Sequence, residues 1–179
     1  MIAVAAIEIN RAPVLTLWAT IVARRAGLSN DEALSIGRAV AGLTAQSKGR
    51  RLGVYKQASE SEAERVRRAR SDLDARSLHF MHRSIPIVRH DGQIRALAKD
   101  KPIDPDTVRR YLDSKFGAAL PVFQEKLTTL GDAFPIDVLL TEAMDLYARF
   151  RPTVPAGVEG WGKKALFDTR AIDALMPTD

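Results

Sequence analysis

The chain has 179 residues, 46% hydrophobic and 27% charged, with a net charge of +5 and no cysteine. This balance belongs to a globular domain large enough to bury a core without staples, and it excludes disulfides, thiolate metal sites and cysteine nucleophiles. The positive charge is local: residues 48–95 hold twelve Lys and Arg against six Asp and Glu, while the segments on either side are close to neutral.

Residues 1–13 are apolar but lack a basic segment ahead of the hydrophobic part, and Glu8 interrupts it, so they read as structure and not as a signal peptide. No apolar run reaches the ~20 residues that span a bilayer. The expectation is therefore no membrane partner, and the lack of cysteine suits a cytoplasmic location. Pro13 opens a predicted helix over 13–26, with Val14, Leu17, Trp18, Ile21 and Val22 at helical spacing and Gly27 as its stop. Ser29-Asn30-Asp31-Glu32 has the form of a capping box, in which Ser29 and Glu32 each satisfy an orphan amide at the start of a second helix, to about residue 48. On that helix Ala33, Gly37 and Ala41 recur every four residues. Small residues at this period admit a second backbone, either the preceding helix of the same chain or a second copy.

Gly49 ends the helix in the stretch AQSKGRRLGVY, where Lys48, Arg50 and Arg51 gather beside the negative end of the helix dipole. A third helix is predicted over 60–82, with a thin apolar stripe of Val66, Ala69, Leu73 and Phe80 among many charges. Next comes SIPIVRHDGQIRAL. Its Asp91-Gly92 between Ile- and Val-rich segments predicts a tight β-hairpin near 85–97, and Pro86 places the first of its strands at an edge. Further helices are expected after Asp104-Pro105, from Pro121, and from Pro135 to the residue before Pro152. A short last helix is capped by Asp168. The resulting expectation is a mainly α fold, an all-alpha helical bundle of about seven helices with one small hairpin. Residues 1–179 form one domain, with a sub-boundary near 97–103 where the charge balance changes.

Catalytic motifs are weak. Gly157 to Lys164 follows the phosphate-loop pattern of glycine, four residues, glycine and lysine. Its last position is Lys164, where a magnesium-binding hydroxyl is needed, so it reads as a glycine-rich turn with Trp161 docked on the core or presented to a partner. His79 and His82 are three apart, close enough to share a helix face, and His90 follows. Their neighbours Arg76 and Arg83 oppose a cation, so neither a metal nor another cofactor is expected. Ser47, Ser77 and Ser84 have no local base and orienter.

The leading functional reading is a non-enzymatic protein that binds nucleic acid or another polyanion through Lys48, Arg50, Arg51, Lys56, Arg65, Arg67, Arg68 and Arg70, because clustered cations grip phosphates without sequence choice. Two alternatives stand beside it. One is a protein-interaction or self-associating module using Trp161 or the Ala33, Gly37 and Ala41 face. The other is an enzyme with a site assembled around His79 and His82.

Overall fold

The structure, a computed structural model, describes residues 6–46, 64, 66–68, 75–153 and 165–177. Of these residues 61% are helical and 20% lie in strands, so the fold is α+β and not the expected mainly α bundle. The numbered helices are α1 (Arg11–Arg25), α2 (Asn30–Gln46), α3 (Pro105–Phe116), α4 (Leu120–Asp132), α5 (Ile136–Phe150) and α6 (Thr169–Asp173). Residues 64 and 66–68 are also helical. The strands are β1 (Ala6–Glu8), β2 (Ser77–Phe80), β3 (Arg83–His90), β4 (Gln93–Ala98), β5 (Lys101–Pro102) and β6 (Leu166–Asp168).

Helix α1 is the centre of the core. Every residue from Pro13 to Ala23 is buried, more than an amphipathic stripe supplies, as expected of a helix covered on all sides. Pro13 is its third residue, still in the turn whose amides have no helical partner. Trp18 Nε1 donates to the carbonyl of Ala143 (2.9 Å), and its ring meets Phe150 edge-on at 5.4 Å. This satisfies the indole while burying it. Helices α2, α3, α4 and α5 all pack on α1.

The α1–α2 pair is close because of one glycine. A Cβ on Gly37 would lie 2.3 Å from Thr20 Oγ1, 2.7 Å from the Thr16 carbonyl and 2.9 Å from the Thr20 amide. The turn between the helices follows its sequence cues. Gly27 takes φ +104°, the Ser29 amide donates to Glu32 Oε1 (2.9 Å), and the Glu32 amide donates to Ser29 Oγ (3.2 Å).

The other face of α2 covers a four-stranded antiparallel meander in the order β2-β3-β4-β5. Leu78, Phe80, Ile85, Ile87, Ile94 and Ala96 are buried at alternate positions along it. The expected helix over 60–82 is therefore wrong at its C-terminal end, where residues 77–80 are strand. Three two-residue turns link the four strands: Met81-His82, Asp91-Gly92 and Lys99-Asp100. All six turn residues have positive φ, the geometry whose twist matches antiparallel strands. Only Asp91-Gly92 announces itself by composition.

Pro86 is not on an edge strand. Strand β3 is interior, and Pro86 marks where it changes partner. Its first half pairs with β2 (Leu78↔Ile85, Ser77↔Pro86) and its second half with β4 (Ile87↔Ala96 to His90↔Gln93). Antiparallel bonds alternate sides, and the Ile87 amide donates to Arg76 (3.0 Å) on the β2 side. Pro86 would have to donate toward β4, which proline cannot do, so that ladder ends at Ile87.

The same alternation aims the amides of Ile94 and Ala96 away from β3, on the side where β5 reaches only Leu97 and Ala98. Helix α2 takes them instead. The Ile94 amide donates to Glu32 Oε2 (3.0 Å) and the Ala96 amide to Ser35 Oγ (3.1 Å). Side chains of a helix thus stand in for a missing strand, one way to cover a sheet edge.

Beyond the sheet, α3 is capped by Asp104, which accepts from the Asp106 amide (3.0 Å), and α6 by Asp168, which accepts from the Arg170 amide (2.8 Å). Strands β1 and β6 pair antiparallel across almost the whole chain. Phe167 of β6 stacks on Phe123 with ring centroids 4.5 Å apart, which fixes this ribbon to the helical core.

Candidate nucleic-acid interface

The basic third of the chain is built from two parts of the fold. Its first part is helical at residues 64 and 66–68. Val66 is 1% exposed and belongs to the core, while Arg67 and Arg68 are exposed. Among the described residues of this turn, Val66 holds it to the body and the two arginines that follow reach solvent. Lys48, Arg50, Arg51, Lys56, Arg65 and Arg70 lie outside the described residues.

The second part is the meander. Residues 75–103 carry six Arg and Lys against two Asp, and they differ in how freely they act. Arg76, Lys99 and Lys101 are exposed. Arg83 Nε donates to Thr44 Oγ1 (3.3 Å), tying the first hairpin to the end of α2. Arg95 is 8% exposed and holds Gln93 Oε1 (2.8 Å) and the Ile94 carbonyl (3.1 Å). Among the described residues of this segment, the exposed cations therefore sit at the borders of the sheet: Arg76 before β2, Lys99 in the last turn and Lys101 in β5. These sheet cations were not among the candidate residues. The signal for them was the alternation of Leu78, Phe80, Ile85 and Ile87, which turns a charged segment into strands with defined edges.

The histidines are not on a helix. His79 stands in β2 opposite Ser84, and His82 lies in the turn that follows. His90 ends β3 opposite Gln93, with Nε2 3.4 Å from Asp91 Oδ2. Among the described residues no group of three His, Cys, Asp or Glu is placed to hold a metal ion. Ser77 and Ser84 are exposed strand residues paired with Pro86 and His79. Ser47 lies outside the described residues.

The candidate interaction face of α2 points inward. Ala33 is 0% and Ala41 2% exposed, and Gly37 is in contact with the α1 backbone, so α1 of the same chain occupies this face. Trp161 and the glycine-rich 157–164 stretch lie outside the described residues. Among the described residues on either side of that stretch, the Thr153 and Leu166 amides donate to each other's carbonyls (3.1 and 2.9 Å). No described helix is long and apolar enough to cross a membrane. Compared with known protein families, with curated proteins and with solved structures, the chain matches none of them.

Proposed function

We propose that this is a non-enzymatic cytoplasmic protein that binds nucleic acid through the basic 48–76 region. Lys48, Arg50, Arg51, Lys56, Arg65, Arg67, Arg68 and Arg70 contact phosphates. The observation that carries this reading is the concentration of charge: twelve cations against six carboxylates in residues 48–95, with Arg67 and Arg68 exposed beside a buried Val66. Cations of this kind release counterions from a phosphate backbone, which gives affinity with little sequence preference.

The test is a titration of labelled duplex DNA and duplex RNA at about 50 and 200 mM salt. Binding at the lower salt should weaken by roughly 10³-fold or more at the higher, as for six or more phosphate contacts. Replacing Arg50, Arg51, Arg67 and Arg68 together by Glu should abolish it. Absence of binding at the lower salt, or equal binding by that variant, would overturn the reading.

A further inference from the structure

The last turn of α1, the first turn of α2 and helices α3 and α4 enclose a cleft with two lobes that share Ile21, Arg24 and Asn30. The larger lobe has a volume of about 480 Å³ and the smaller about 230 Å³, within the range of small-molecule sites when taken together. Buried aliphatic residues form the floor: Ile21 and Leu28 in the larger lobe, Leu34 and Leu112 in the smaller. Asn30 and Thr128 supply hydrogen-bonding groups at the wall of the larger lobe.

Three arginines line the cleft, and two are already engaged. Arg25 donates to the Phe134 carbonyl (2.6 Å) and lies 3.5 Å from the Asp132 carboxylate. Arg109 is held between Asp31 and Asp106. Arg24 is exposed and, among the described residues, its guanidinium makes no hydrogen bond or ion pair; it belongs to both lobes. The carboxylates nearby are unequal. Asp132 of the larger lobe is offset by Arg25, whereas Asp113 lines the smaller lobe. An anion is therefore favoured in the larger lobe and opposed in the smaller.

We infer that the larger lobe is a binding site for a small organic acid, with its carboxylate on Arg24 and the Asn30 side chain and its aliphatic body over Ile21 and Leu28. The planar guanidinium matches a carboxylate in two parallel bonds. The floor contributes by removing an alkyl chain from water. This site is independent of the proposed nucleic-acid surface.

The experiment follows backbone amide shifts of the full chain as octanoate is added, with octanol and inorganic phosphate as separate probes. The expected result is saturable shifts centred on Ile21, Leu28, Asn30 and Thr128. Arg24→Gln should weaken octanoate by about tenfold or more, the loss of a charge-assisted pair, and Arg151→Gln, an exposed residue just after α5 and outside the cleft lining, should leave it unchanged. Thermal melting of both variants checks that their folds are intact. Octanol and phosphate should each bind at least about tenfold more weakly than octanoate. The proposal is overturned by no saturable shifts up to about 1 mM, by shifts scattered over the basic surface, by equal affinity in Arg24→Gln, or by octanol or phosphate binding as well as octanoate.

Discussion

Glu32 and Ile94, 62 residues apart, are joined by a bond of 3.0 Å from the Ile94 amide to Glu32 Oε2, and the second oxygen of the same carboxylate caps α2 through the Ser29 amide. One buried side chain, 2% exposed, thus starts a helix and closes the edge of a sheet. It couples the helical core to the meander that carries much of the basic charge.

Glu32→Ala removes the acceptor from two amides at once. The Ile94 amide is buried and costs about 1–3 kcal/mol when left unpaired; the half-buried Ser29 amide adds about 0.5–1.5, so we expect a loss of roughly 2–4 kcal/mol in urea unfolding. Glu32→Gln keeps one acceptor and turns an NH₂ group toward the other amide, so it should fall between the variant and the parent. A loss below about 1 kcal/mol for Glu32→Ala would mean that the bond to Ile94 does not hold the two layers together.

The two glycines within α2 should respond in opposite directions to the same change. Ala is the better helix former by about 1 kcal/mol, and a Cβ on Gly42 meets nothing within 4 Å. Gly42→Ala should therefore stabilise by up to about that amount. At Gly37 two of the three atoms in the way are backbone of α1, and backbone moves only if the helices part. Gly37→Ala should destabilise by about 1–3 kcal/mol despite its helix propensity. Calorimetric melting of the two variants checks the sign, and a stabilising Gly37→Ala would refute the close α1–α2 approach.

These contrasts show what was legible in the chain and what was not. The capping box, the Gly27 stop, the Asp91-Gly92 turn and the Asp104 and Asp168 caps act through neighbours within a few residues, and each forms as its local chemistry predicts. Strand β2 was hidden because Phe80 also continues the helical spacing of Val66, Ala69 and Leu73, and a four-residue alternation is too short to outweigh it. Turns such as Met81-His82 contain no glycine, so their positive φ is imposed by strand pairing and not by composition. Strands β1 and β6 are three residues each and exist only through a partner at the far end of the chain. For the candidate site, the basic third was legible as charge. Which cations reach solvent depended on the fold, since Arg83 and Arg95 are spent on Thr44, Gln93 and the Ile94 carbonyl.

The Lys99-Asp100 turn can be improved. Both residues are exposed and have φ of 50° and 65°, which an L side chain adopts only with strain. Replacing them by Asn-Gly, the pair that suits this turn, should raise stability by about 0.5–1 kcal/mol in urea unfolding. An unchanged or lower midpoint would count against the two-residue turn between β4 and β5.

Alkaline pH should weaken the fold through Tyr147. Burial pushes its phenol up to about 12, with Arg11 and Arg151 drawing it weakly the other way, and the unfolded phenol ionises near 10. Below pH ~10 both states keep the proton and stability is full. Between about 10 and about 12 the unfolded chain releases it and the folded chain does not, so stability falls as pH rises, by on the order of 2 kcal/mol. Tyr147→Phe should remove this component of the decline. A phenolate absorbance change near pH 10 in the folded protein, lost in Tyr147→Phe, would contradict the buried placement.

Phosphate contact by Arg67 and Arg68 is read from the salt slope of duplex binding, measured for the parent chain and for Arg67→Glu with Arg68→Glu. Each phosphate contact contributes about −0.9 to the slope of log affinity against log salt. The parent should show a steep negative slope and the double variant a slope shallower by about two, with weaker binding at every salt concentration. A parent that fails to bind at about 50 mM salt, or a variant with the parent's slope, would contradict it.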